Sequence, residues 1–238
     1  MSAGENSGTT PRTALVTGGN RGTGRAIVER LEVAGTQVWQ LNRTPCGAGE
    51  RELICDLSDV DAVDRLVRRV VDASGGRLDL LVANAADRYF ARVSDLDAHR
   101  WSQALTVNLS SILVAVRAAL PALRAAHGTV VLMGSHAGTR FFEEGVSYCA
   151  AKAAMKAVCE VLLLEERPHG VRTCLVSPGA IANLDGDTSK FKMAPASVAE
   201  FLAWLASAPA DVAVGEIEMR PAVLPPPVVT GLDRLQAV

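Results

Sequence analysis

The sequence predicts an α/β fold of the Rossmann type, a doubly wound parallel sheet with helices on both faces in a three-layer sandwich. Three observations carry this. Short apolar runs alternate with longer segments of helical period. Two of the runs, residues 78–82 and 129–133, are almost continuously apolar, as strands buried on both faces must be. The first run, residues 13–17, passes directly into a glycine-rich turn, and helix-period sequence follows at once.

Taken in order, the first strand at 13–17 leads to a helix over 22–34 with Ile27, Val28 and Leu31 on one face. Strands follow at 38–41 and 52–55. Ser58 reads as the next N-cap, with Asp59 and Asp61 in the first turn and Val63, Leu66, Val67 and Val70 forming an apolar stripe up to Gly75. Between the two central strands, 98–126 reads as one long helix kinked at Pro121. A second long helix, 146–166, stops before Pro168 and Gly170. A strand at 172–176, a helix at 196–206 and a strand at 216–219 complete the sheet. Residues 1–10 form a polar flexible tail, 11–220 a single domain, and 221–238 a Pro-rich tail that leaves the sheet extended.

Composition excludes several function classes. With 24 basic and 26 acidic residues dispersed along 238, the net charge is -2, and no basic stripe invites a nucleic acid or an anionic membrane. The best apolar stretch, 112–123, is interrupted by Arg117 and Pro121, so no membrane span is expected. Cys46, Cys55, Cys149, Cys159 and Cys174 make no C-x-x-C pair. They read as reduced thiols of a cytoplasmic protein, with no metal site.

The turn Thr17-Gly18-Gly19-Asn20-Arg21-Gly22-Thr23-Gly24 is placed to bind a pyrophosphate. A strand-to-helix turn at the carboxyl edge of a parallel sheet brings free N–H groups and a helix dipole to one point. Gly18, Gly22 and Gly24 remove β-carbons that would block the approach. Taken alone, the same residues read as an ordinary Gly-rich turn.

Tyr148 and Lys152 stand at i and i+4 on one helix face. A phenol is a poor base near neutrality, and a neighbouring cation favours its anion. Ser135 follows a central strand at the sheet edge where such folds bind ligands, and its hydroxyl is placed to hold a substrate oxygen. Singly, each of these residues also has an ordinary reading, as a surface pair or a turn serine. His136 reads as a loop histidine.

Thr17 to Gly24, Asn84-Ala85-Ala86, Asn108, Ser135, Tyr148-x-x-x-Lys152 and Pro178-Gly179 occur in the order and approximate spacing of the short-chain dehydrogenase/reductase family, which the chain resembles from about 13 to 179. The resemblance implies an oxidoreductase that moves a hydride between a nicotinamide and a carbonyl or secondary alcohol. Tyr148 exchanges the proton, Ser135 polarises the oxygen, Lys152 lowers the tyrosine pKa and binds the nicotinamide ribose, and Asn108 holds a relay water. For the cofactor it implies Gly18, Asn20, Arg21, Gly22, Thr23 and Gly24 at the phosphates, and Asp56 with Leu57 beside the adenine. Asn84, Ala85 and Ala86 lie near the ribose, and Pro178, Gly179, Ile181 and Asn183 bracket the nicotinamide. Two residues depart from the family pattern: Ala86 stands for the usual Gly and Asn183 for the usual Thr. A non-catalytic nicotinamide-binding sensor on the same fold is the alternative.

After the second strand the chain reads Gln40-Leu41-Asn42-Arg43, with no acid to accept both ribose hydroxyls. Asn42 takes the acidic position, and Arg43 and Arg21 offer cations to a 2′-phosphate, so NADP(H) is preferred and NAD(H) remains compatible. The substrate is a small carbonyl or alcohol, either a 3-hydroxy acid or a specialised-metabolite ketone. Phe141, Phe142 and Met193 offer an apolar wall, and Arg88 or Lys190 a contact for a carboxylate. Surplus apolar positions on the two long helices, together with the resemblance, point to a homo-oligomer, a tetramer or a dimer.

Overall fold

A computed structural model describes residues 13–184 and 186–223. The tail expected at 1–10 lies outside the described residues, as does all but 221–223 of the tail expected at 221–238. Seven strands form one wholly parallel sheet in the order β3-β2-β1-β4-β5-β6-β7. These are β1 (Thr13–Thr17), β2 (Gln37–Asn42), β3 (Glu52–Ile54), β4 (Leu80–Ala83), β5 (Thr129–Met133), β6 (Arg172–Pro178) and β7 (Glu216–Met219). The order reverses between β1 and β4, which opens a crevice at the carboxyl ends of those strands.

Alternation along the strands divides the core. Ala14, Val16, Leu80 and Val82 face the layer built by α1 (Gly22–Val33) and α6 (Pro195–Ala206), where Ile27, Leu31, Val198 and Leu202 are fully buried or nearly so. Leu15 and Leu81 face the opposite layer of α2 (Val60–Ala73), α4 (Ser111–Ala126) and α5 (Val146–Glu166). There Val63, Val67, Ala119, Leu123 and Met155 complete the packing. At the far ends of α4 and α5, Arg124 makes two bonds to the buried Glu166 carboxylate, at 2.8 and 2.7 Å.

Four local expectations are corrected. Asp59, not Ser58, caps α2: its carboxylate accepts from Ala62 N, while Ser58 turns to Asp56. The fourth strand starts at Leu80, because the N–H of the buried Leu78 goes to Ala122 O of α4 instead of the ladder. Helix α6 starts on Pro195, whose missing N–H costs nothing in a first turn. The long helix, expected as one continuous α-helix, continues past Pro121, with Ala118, Ala119, Ala122 and Leu123 buried around it. Its α-helical pattern breaks earlier, in a π turn at Thr106–Ser110 between α3 (Ala98–Leu105) and α4. As one rod, Ala98–Ala126 has the length and mean hydropathy of a membrane span, yet it serves as a core helix, with Ala115, Val116 and Ala119 packed on the sheet.

Candidate active site

The crevice between β1 and β4 is stapled by a reciprocal set of bonds. Thr17 Oγ1 accepts from Asn84 N and Ala85 N, both at 3.0 Å, and Asn84 Nδ2 donates to Thr17 O and Gly18 O at 3.1 Å. The glycine loop leaves β1 at Gly18, with φ +68, and a β-carbon on Gly24 would stand 1.9 Å from Gly18 O. No side chain larger than hydrogen fits there. Arg21 supplies no side-chain cap to α1, and the first turn holds no acid, so the helix presents donors and positive potential to the crevice. This cradle fits a pyrophosphate. Asn183 closes over it, its Oδ1 accepting from Thr23 N at 2.9 Å and Thr23 Oγ1 at 2.7 Å. Ala86 lies outside the left-handed region, so its methyl puts no strain on the backbone.

Beside the glycine loop, the crossover from β2 to β3 is the short segment 43–51, with a single 3-10 turn in place of an α-helix. Glu52 organises it. One carboxylate oxygen accepts from Cys46 N and Asn42 Nδ2, both at 2.8 Å, and the other from Gly47 N at 2.9 Å and Ala48 N at 3.0 Å. Burial alone would raise the Glu52 pKa, but these donors outweigh it and hold the carboxyl down at about 2. Asn42 is wholly buried, its amide shared between Glu52 and Gln40. Arg43 and Arg21 stay exposed, and Asn20 Nδ2 ties the glycine loop to Thr44 O at 3.0 Å. Asp56 receives Ser58 N and Oγ, and those bonds, together with the Arg43 charge, hold its carboxyl below the usual range; Leu57 is buried beneath it.

Helix α5 carries Tyr148 and Lys152 one turn apart. Lys152 is 4% exposed, donates to Met133 O at 2.5 Å, and lies 5.6 Å from the Tyr148 ring centroid. Burial, assisted by the nearby Arg88 charge, pushes its ammonium down to about 8. Ser135 starts the 3-10 turn at His136–Gly138, its Oγ accepting from Ala137 N at 3.1 Å. That turn is pressed against α5, since a β-carbon on Gly138 would stand 2.8 Å from Lys152 O. Asn108, in the π turn, is fully buried and pairs at both ends of its amide with the Asp87 backbone, at 2.7 and 2.8 Å. One N–H and one lone pair remain on that amide for a further contact.

Pro178 ends β6, and Gly179 N bonds Met219 O at 2.8 Å. Ile181 bridges to Met193, closing the excursion between them. Four residues of this edge have contacts that the sequence reading did not assign. Thr17 and Gln40 act only through the neighbours that folding brings, Asn84 for one and the loop beneath Gly19 for the other. Glu52 carries the faint signal of an acid opening a buried strand just after a Gly-containing turn. His136 lies over Gly179, with Nε2 3.0 Å from Glu218 of β7, and burial lowers its pKa.

A family model described as short chain dehydrogenase matches residues 12–192. The chain belongs to the short-chain dehydrogenase family. An uncharacterized oxidoreductase of Staphylococcus aureus is 27% identical over 227 residues, covering 89% of this chain and 98% of its own. A metagenomic short-chain oxidoreductase solved with NADP aligns at a TM-score of 0.78 with 30% identity, over 89% of this chain and 98% of its own. A Brucella ovis oxidoreductase of the same family, solved with a partially ordered NAD, aligns at 0.75 with 25% identity, over 88% and 99%. This short-chain dehydrogenase is accordingly an NAD(P)-dependent oxidoreductase, and the glycine cradle is where its residues suit the cofactor phosphates.

The Glu52 clamp has a consequence for acid stability. A carboxyl depressed from 4.5 to about 2 stabilises the fold above its unfolded value, and that contribution disappears as pH falls from 4.5 through 2. In urea titrations across that window, the wild type should lose stability more steeply than Glu52→Gln. Parallel curves would show that the clamp contributes nothing.

Proposed function

We propose that this short-chain dehydrogenase is an NADP(H)-dependent enzyme that interconverts a small-molecule carbonyl and its secondary alcohol, with Tyr148 as general acid and base. The observation that carries the proposal is Lys152, buried, bonded to Met133 O and set against the Tyr148 ring. Desolvating an ammonium is costly, and such a placement is justified where negative charge develops beside it. In reduction, Tyr148 gives its phenolic proton to the carbonyl oxygen, and Lys152 supplies the positive charge that the resulting phenolate faces. In oxidation the proton returns to Tyr148. Ser135 orients the same oxygen from the turn packed on α5, and Lys152 also serves the nicotinamide ribose. Asn108, Asp87 and the π turn hold the floor behind them. The bound nicotinamide supplies or accepts the hydride at carbon.

The preference for NADP(H) is supported on the adenosine side. Asn42 is engaged with Glu52, whose carboxylate is occupied by four N–H donors, so among the described residues no unengaged acid stands at the end of β2. Arg43, next after Asn42, and Arg21 of the glycine loop are exposed cations. Asp56 and Leu57 belong to the adenine pocket, Asn84, Ala85 and Ala86 to the ribose, and Pro178, Gly179, Ile181 and Asn183 to the nicotinamide end. All five cysteines are free thiols, in keeping with a reducing, cytoplasmic compartment. Assembly into a dimer or tetramer through α4 and α5 is supported by Leu113, Val161 and Leu164, which lie 42%, 50% and 68% exposed on those helices.

Three measurements test this function. Tyr148→Phe should keep cofactor affinity while turnover falls by about two to four orders of magnitude; near-normal turnover in the folded variant contradicts the proton role. Arg43→Ala should lower kcat/KM for NADPH by roughly tenfold to a hundredfold and leave NADH untouched. Equal loss with both cofactors refutes the phosphate contact. Light scattering at micromolar concentration should give the mass of two or four chains, and a monomeric mass removes the oligomer.

A further inference from the structure

The approach to Tyr148 is walled by aromatic rings. Phe90 stands edge-on to Tyr148 with centroids 6.0 Å apart, and Phe142 stands edge-on to Phe90 at 5.7 Å. Both remain about half exposed, at 46% and 48%, and the adjoining Phe141 is 71% exposed. These rings are held, not loose. A β-carbon on Gly145 would stand 2.6 Å from the Phe142 ring, so that ring lies against bare backbone. Ala91 N bonds Glu144 O at 2.9 Å, and Ser147 Oγ donates to Tyr89 O, which joins the two segments that carry Phe90 and Phe142. Glu144 adopts φ +66 at this junction, a conformation uncommon for a residue with a side chain, and the bond from Ala91 fixes it there.

The segment also sorts its side chains by direction. Tyr89 turns to α3, its hydroxyl accepting from Asp97 N at 2.9 Å and its ring lying 5.3 Å from the Arg100 guanidinium. Phe90, the next residue, turns to Tyr148. Arg88, on the other side of Tyr89 and two residues before Phe90, is near enough to Lys152 for its charge to bear on that ammonium. Arg88 is exposed and has no carboxylate partner among the described residues, whereas the neighbouring Asp87 is paired with Arg100 and Glu144 with Arg92. Two like charges at one site favour an anion there. Rings edge-on to one another leave faces and edges that suit a further ring.

We infer that the substrate is an aromatic carbonyl compound bearing a carboxylate or similar anion, its ring against Phe90 and Phe142 and its anion at Arg88. This rests on the carbonyl–alcohol reading above and names the substrate class for that site. Arg88 offers a planar fork to an anion, and the rings offer apolar area close to the reacting oxygen.

Recognition is tested apart from chemistry by titrating the NADP-loaded full chain with inert probes in a calorimeter. Benzoate should bind about tenfold more tightly than acetate, which lacks the ring, and about tenfold more tightly than benzamide, which lacks the charge. Arg88→Ala should abolish the advantage over benzamide, and Phe90→Ala the advantage over acetate. A second arm follows NADPH consumption with 3-acetylbenzoate, acetophenone and acetoacetate, expecting 3-acetylbenzoate to give the highest kcat/KM. Reduction of all three without preference overturns the substrate class and leaves the reductase reading standing. The predicted benzoate binding with no reduction of any ketone does the reverse. An Arg88→Ala variant that weakens NADPH binding and keeps the benzoate-to-benzamide ratio assigns that cation to the cofactor and overturns the inference.

Discussion

The exchange of hydrogen bonds between Thr17 and Asn84 is the contact on which the functional edge depends. It joins β1 to β4 where the strand order reverses, and every element of the site leaves the sheet from one side of that joint or the other. Behind Thr17 the glycine loop turns into α1 with no room for a β-carbon at Gly24. Behind Asn84 runs the segment that carries Arg88 and Phe90 past the reacting centre. A shift of β4 along β1 would therefore displace the glycine loop and the aromatic rings beside Tyr148 together.

The two ends of the crevice solve opposite electrostatic problems. Near Asn42 a carboxylate has to be kept at the sheet edge, and Glu52 is surrounded by donors, three of them from a loop too short to contain an α-helix. Its charge holds the loop and is satisfied by it. Near Tyr148 a cation has to be kept inside the protein, and among the described residues Lys152 donates only to the Met133 carbonyl. The first arrangement is closed and serves geometry. The second is left incomplete, which keeps the ammonium available to chemistry at the crevice.

Secondary contacts tie the reacting side to the rest of the sheet. His136 spans from the Ser135 turn to Gly179 and Glu218, so the ends of β5, β6 and β7 meet beside that turn. The π turn at Thr106–Ser110 serves the same purpose from the helical layer, since it carries Asn108 to the Asp87 backbone. Asn183 does so at the cradle, where a residue that departs from the family pattern caps Thr23 across the crevice.

Periodicity alone determined the layers and the carboxyl edge, because buried parallel strands need apolar residues on both faces and α1, α2, α4 and α5 need one apolar stripe each. The order of short motifs determined the family and drew attention to Gly18 through Gly24, Ser135, Tyr148 and Lys152. Contacts between distant residues were decided only by the tertiary structure. Nothing local to Asn42 announces Glu52, ten residues on, as the partner that buries it. Nothing near Phe90 announces Tyr148 or Phe142. The missing N–H of Pro121 is visible in the sequence, whereas the π turn at Thr106–Ser110 is not, because there the Asn108 side chain finds a backbone partner twenty-one residues away. A period can be read along one segment, whereas a hydrogen bond between segments exists only once the sheet has fixed their positions.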